Sequence, residues 1–233
     1  MKDERIENIS KGLSSENPKE KLKAINELTE IAFNLDSDNR KQVVKLLNSI
    51  AEDKQAFIRW NVAIALGKIG HKDAIPVLEK MVSDMHANVR FRVAIALGLI
   101  GSETCIPILE KMVNDDYELG GHFVVRGFVA IALGKIGHKD CVPVLAKLVE
   151  DKDPVVRWHV AVTFGDIGHE SGVQYLSNLV NDEIPFVRAH TAIALAEIGH
   201  KSGLAYLEQL EKDNVEKVAK ISSEALKTLK SVI

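Results

Sequence analysis

Apolar positions along the chain recur every three or four residues and never alternate over a run, a spacing that predicts helices and no strands. In the segment IRWNVAIALGKIG, Ile58, Val62, Leu66 and Ile69 fall on one stripe of the helical wheel, which makes that stripe the core face. The segment returns four times, as VRFRVAIALGLIG, VRGFVAIALGKIG, VRWHVAVTFGDIG and VRAHTAIALAEIG. Its arginines, Arg59, Arg90, Arg126, Arg157 and Arg188, step by 31, 36, 31 and 31 residues, and the closing glycines Gly70, Gly101, Gly137, Gly168 and Gly199 step identically. A fixed period of this size predicts a solenoid of stacked repeats.

Each repeat reads as two helices. Helix A carries the arginine and stops at the closing glycine, which suits a left-handed cap. Three residues later stand Asp73, Thr104, Asp140, Ser171 and Ser202, all good N-cap types, so helix B is expected to start there. Pro76, Pro107 and Pro143 then fall in its first turn, where no backbone donor is lost. Gly67, Gly98, Gly134 and Gly165 sit inside helix A, where glycine costs about 1 kcal/mol relative to alanine. They share a flank of the wheel with Ala63, Ala94, Ala130 and Ala161, which predicts close stacking of neighbouring A helices. Residues 18–52 look like a divergent first pair and 214–231 like a more polar last helix. The chain thus reads as one array, 1–233, with five close repeats over 54–212 between divergent ends, 1–53 and 213–233.

Composition fits an ordinary globular protein, with 46% hydrophobic and 27% charged residues. Thirty basic against 33 acidic residues give a net charge of −3, which argues against nucleic acid as the partner. The N-terminus MKDERIENIS lacks the apolar run of a signal peptide, and no stretch has the roughly 18 apolar residues of a membrane helix. The expectation is a cytoplasmic protein with no membrane partner.

The motif VRxxVAIALGKIG, followed by a short capped helix and a period of 31, resembles the short HEAT-like repeats of the phycobilisome lyase type. The resemblance covers about residues 54–212 closely and the ends more loosely. It implies an all-α fold, an α-α superhelix or HEAT-like solenoid of about six to seven helical pairs, with the A helices on the inner, concave surface. Such repeats occur in bilin lyase subunits, di-iron deoxyhypusine hydroxylases and binding scaffolds, so the fold leaves the function open. The di-iron ligands of the hydroxylases are His-Glu pairs directly after the repeat arginine. Here those pairs are Trp60–Asn61, Phe91–Arg92, Gly127–Phe128, Trp158–His159 and Ala189–His190, and none matches. His169–Glu170 is a His-Glu dipeptide in the wrong place, between helices.

Candidate chemistry clusters around the arginines. Of the chain's twelve aromatics, seven lie between three residues before and two residues after a repeat arginine: Phe57, Trp60, Phe91, Phe123, Phe128, Trp158 and Phe186. Even placement would put fewer than two there. Five residues past each arginine stand Ile64, Ile95, Ile131, Val162 and Ile193, opposite the core stripe, where a solvated helix would be polar. Two readings follow: an apolar, aromatic groove for another polypeptide, or side chains buried between stacked repeats. Two residues past the arginines, Asn61, Arg92, Phe128, His159 and His190 vary while their surroundings do not, which marks them as specificity candidates. His159 and His190 share a column of adjacent repeats that stack about 8–10 Å apart, so they are candidates for one shared ligand or simply polar groove residues. Neither set completes a metal site, and no cofactor is implied.

Other features read mainly as structure. His71, His138, His169 and His200 follow the closing glycines as part of the repeat pattern. Cys105 and Cys141 share a repeat position and read as small packing residues, with a reactive helix-terminal thiol as the alternative. Asp53, Asp84, Asp151 and Asp182 each precede an arginine by six residues, which predicts an Arg–Asp ladder tying each helix A to the preceding helix B. Five residues are inserted before Arg126, around Asp116, Tyr117, Glu118, Leu119, Gly120 and Gly121, either as a functional loop or as a tolerated insertion.

Together these readings favour a non-enzymatic scaffold that binds a protein or peptide across its A helices. Trp60, Phe91, Phe128 and Trp158 are the expected anchors. The alternative is a bilin-lyase-like or other tetrapyrrole-handling subunit. No nucleophile–base pair or phosphate loop compels an enzymatic reading.

Overall fold

A computed structural model describes residues 4–116, 118–119 and 123–233. Tyr117, Gly120 and Gly121, named above as part of the insertion, lie outside the described residues. The chain divides into two compact units, Met1–Met112 and Val113–Ile233.

In the first unit α1 (Glu4–Ser10) leads into three helical pairs. The A helices are α2 (Pro18–Ala32), α4 (Ala56–Ile69) and α6 (Ala87–Ile100); the B helices are α3 (Ser37–Asn48), α5 (Ile75–Met81) and α7 (Ile106–Glu110). The second unit begins at the insertion, where a helix-only expectation gives way to a minimal antiparallel pairing of β1 (Glu118–Leu119) with β2 (Phe123–Val124). Five extra residues are too few for a helical pair, and two paired residues a side leave the fold all-α. Its A helices are α8 (Val125–Ile136), α10 (Pro154–Ile167), α12 (Pro185–Ile198) and the final α14 (Glu216–Val232). Its B helices are α9 (Val142–Ala146), α11 (Val173–Leu179) and α13 (Leu204–Leu210).

Within each unit successive A helices stack side by side, α4 between α2 and α6, and α12 between α10 and α14. The predicted stripe of Ile58, Val62, Leu66 and Ile69 is buried throughout. A side chain such as Leu66 contributes roughly 1.5–3 kcal/mol by leaving water. The small-residue flank is what lets the helices approach. A Cβ placed on Gly67 would lie 2.6 Å from the Cα of Ala96, and one on Gly165 would lie 3.1 Å from the Cα of Ala194. All five closing glycines adopt φ between 64° and 68°, the left-handed cap that side chains resist.

The helix B cap sits two residues earlier than the sequence suggested. A 3-10 turn precedes each B helix from α5 to α13, and its N-cap is the residue directly after the glycine. His71, His138, His169 and His200 accept the amide hydrogens of Asp73, Asp140, Ser171 and Ser202 on Nδ1, at 3.2 to 3.3 Å. Ser102 does the same for Thr104 with its hydroxyl. The histidine series is thus a capping series, and Asp73, Thr104, Asp140, Ser171 and Ser202 are the donors, not the caps.

The arginine ladder is present with a different partner. Arg59 donates Nη1 to the backbone carbonyl of Asp53, six residues earlier, while Nε and Nη2 reach the carboxylate of Asp84, 25 residues later. Arg126–Asp151, Arg157–Asp182 and Arg188–Asp213 repeat this two-bond fork. The carboxylate of Asp53 pairs instead with Lys21 of α2. In each of these rungs the aspartate also accepts the amide two residues on, at the entry to the next A helix, so one carboxylate joins two repeats. At the insertion, Arg126 takes the carbonyl of Asp115, 11 residues back, and adds the carboxylate of Asp116 at 3.1 Å.

Candidate functional site

Within each unit, packing against neighbouring A and B helices leaves the A helices an accessible face. On α4 that face carries Trp60, Asn61 and Ile64, and on α6 Phe91, Arg92 and Ile95, all half-buried. Leu99, one turn beyond Ile95, is 46% exposed. In the second unit Phe128 and Ile131 of α8, Trp158, His159 and Val162 of α10, and His190 of α12 are half-buried too, while Ile193 is 37% exposed. None of the thirteen groove candidates is sunk in the core. The backbones of Glu118 and Leu119 form β1.

In the first unit the aromatic cluster is built around a cation. The rings of Phe57 and Trp60 meet edge-on at 6.4 Å. Asn61 donates Nδ2 to the carbonyl of Phe57, which holds it along its own helix. The guanidinium carbon of Arg92 lies 4.8 Å from the Trp60 ring centre and 4.2 Å from that of Phe91, cation–π distances to both. Its Nη1 donates to the backbone carbonyl of Asn88 at 2.9 Å. Burial pushes the Arg92 pKa down.

In the second unit Trp158 is the centre. His159 stacks on it at 4.5 Å, and His190 and Phe186 of the next helix meet it edge-on at 5.5 and 6.2 Å. Its Nε1 is buried and has no hydrogen-bond partner among the described residues. Burial pushes the His159 pKa down against the pull of Asp153, favouring the neutral imidazole. His190 Nδ1 lies 2.8 Å from the Phe186 carbonyl, so that nitrogen carries the hydrogen. Both histidines of the shared column therefore converge on the tryptophan. Among the described residues neither joins a cluster of three metal-ligating groups. Beside them, burial and then Asp166 push the Glu197 pKa up, with His190 opposing.

The reactive-thiol alternative fails on burial. Cys105 and Cys141 are thiols with 0% exposure, and burial pushes the Cys105 thiol pKa up. They are small core residues. Phe186, 41% exposed, was counted among the sequence's aromatics without being given a site role. Phe57 and Phe186 occupy the same repeat position, two residues before the arginine, and that shared column was the available signal.

The family profile of HEAT repeats matches residues 6–85, 69–119, 120–183 and 163–227, nearly the whole chain. The chain belongs to the HEAT-repeat family. No curated protein matches it. Among solved structures, the HEAT repeats are similar to the complex of CpcE and CpcF of phycocyanin lyase from Nostoc sp. PCC7120, at 20% identity and a TM-score of 0.59, over 96% of this chain and 94% of that one. They are also similar to the archaeal HEAT-like repeats protein from Thermococcus onnurineus NA1, at 14% identity and a TM-score of 0.61, over 98% of both chains. At these identities the likeness concerns the fold, and it bears out the phycobilisome-lyase type of repeat read from the motif. Among the described residues, no helix of this HEAT-repeat chain is long and apolar enough to cross a membrane.

Proposed function

We propose that this chain is a non-enzymatic scaffold that binds another polypeptide across the accessible face of its A helices. One observation carries the reading: apolar and aromatic side chains stay half-exposed at matching positions of successive A helices. Ile64 and Ile95 do so beside Trp60 and Phe91, and Ile131, Val162 and Ile193 do so beside Phe128 and Trp158. A face meant only for water would be polar, and rigid aromatics flanked by polar groups are the usual anchors of a protein interface. Asn61, Arg92, His159 and His190 vary along this face and are assigned its specificity. The similar Nostoc structure is itself a complex of two proteins, which supports a protein partner by analogy.

The test is affinity capture with the wild-type chain and with a Trp60→Ala, Trp158→Ala double variant whose folding is verified by circular dichroism. A partner retained by the wild type and lost by the folded variant is the expected outcome. Equal retention by both assigns these aromatics to packing alone and overturns the reading.

A further inference from the structure

The ladder arginines show what an arginine does in this protein when its chemistry is complete. Nη1 goes to a backbone carbonyl, and the edge formed by Nε and Nη2 takes both oxygens of a carboxylate, as in Arg59–Asp84 and Arg188–Asp213. Arg92 completes half of that pattern. Its Nη1 holds the carbonyl of Asn88, with the Asn88 side-chain oxygen at 3.4 Å. Its Nε and Nη2 have no acceptor among the described residues. The guanidinium is meanwhile fixed between Trp60 and Phe91, so the open edge belongs to a preorganised group and not to a mobile surface side chain.

We infer that Arg92 receives an aspartate or glutamate side chain of the partner polypeptide, with a neighbouring aromatic or large aliphatic residue of that partner packed on Trp60. The inference rests on the polypeptide-binding reading above and adds the partner's chemistry to it. A carboxylate fits because it supplies two coplanar oxygens and one charge to a single fork, as in the rungs of the ladder. Extended polyanion binding would use cations at successive repeats, whereas the matching position of the neighbouring helix is the neutral Asn61. The adjacent rings of Phe57 and Trp60 offer the apolar surface that a side chain next to the acid would cover.

The probe is a phage-displayed library of random dodecapeptides selected on the full chain and on Arg92→Gln, Arg92→Lys and Trp60→Ala, each checked for folding by circular dichroism and thermal melting. Wild-type selection is expected to enrich Asp or Glu beside an aromatic or aliphatic residue. In a resynthesised winner, Glu→Gln is expected to weaken binding about tenfold or more, the range of a charge-assisted pair. Arg92→Gln should cause a similar loss, the two changes together should cost little more than either alone, and Arg92→Lys should fall between. Enriched peptides that need Trp60 but are indifferent to Arg92→Gln overturn this inference and leave the polypeptide-binding reading standing. A phosphoserine version that binds tenfold tighter than the Glu peptide overturns the carboxylate assignment in favour of a phosphopeptide. A library that enriches nothing on the wild type overturns both readings.

Discussion

Arg188 and Asp213, 25 residues apart in sequence, share two hydrogen bonds of 2.6 and 2.8 Å between α12 and the entry to α14. Both side chains are largely shielded from water, at 11% and 7% exposure. Asp213→Ala removes the anion, leaves the guanidinium without its fork partner and frees the Val215 amide from its acceptor. The expected cost is about 2–3 kcal/mol, read from urea unfolding. A cost near that of an exposed surface pair would remove the ladder from the list of stabilising features.

The same rung makes stability depend on acid. The hydrogen bond from Arg188 holds the Asp213 carboxyl below its ordinary range against the opposing effect of burial, with the Val215 amide adding to it. A folded-state pKa below the unfolded value of about 4 means that the unfolded chain takes up the proton first as pH falls. The contribution is therefore complete above that value and is lost below it. Asp213→Asn should show a smaller drop in melting temperature between pH 5 and pH 3 than the wild type; parallel curves would refute the linkage.

His200 caps the turn before α13 through the Ser202 amide and reaches Glu170 of the preceding repeat with Nε2 at 3.2 Å. His200→Ala should cost about 1 kcal/mol. His200→Ser should recover most of it, because Ser102 performs the same task in an earlier repeat. Equal melting temperatures for the Ala and Ser variants would show that the imidazole is not acting as a cap.

Gly67→Ala separates helix propensity from packing. On propensity alone the change gains about 1 kcal/mol. The new methyl would meet the Ala96 backbone at 2.6 Å, so α4 and α6 must move apart and net destabilisation is expected. A stabilised variant in chemical denaturation would mean that the stack yields at little cost.

Trp158→Phe removes a buried donor that has no acceptor among the described residues. The gain from losing that unmet group, about 1–3 kcal/mol, opposes the loss of ring area, so stability should stay within about 1 kcal/mol of wild type. A much larger loss in thermal unfolding would imply that Nε1 is satisfied in solution.

Much of the fold was legible because it is written in residues with one physical use. Gly70 and its equivalents could only be left-handed caps, and Ile58, Val62 and Leu66 could only face a core. The ladder shows where such reading fails. With a period of 31, an aspartate six residues before one arginine is also 25 residues after another, so a regular repeat offers both pairings equally. The insertion breaks the tie: Arg90 and Asp115 keep the spacing of 25, while Asp115 to Arg126 becomes 11. The helix B caps were misplaced because Asp73 and Ser202 are better-known capping types than the histidines two residues before them. On the accessible face of the A helices, periodicity marks the columns of half-buried residues but not the meeting of Arg92 with Trp60 across two helices, which depends on side-chain paths that periodicity does not encode.

A fork that spans the joint between two repeats, as at Arg59, Arg126, Arg157 and Arg188, has an evolutionary consequence. Excising residues 157–187 would place Arg188 directly after Val156, with the Asp151 carbonyl again six positions behind it and Asp213 still 25 ahead. Arg59, Arg126 and Arg188 would each keep a matched aspartate, and the cut ends would inherit one another's contacts. A gene built this way tolerates unequal crossing-over in steps of 31 codons, because what is copied is the seam, and a shortened or lengthened descendant is sewn together as well as its parent.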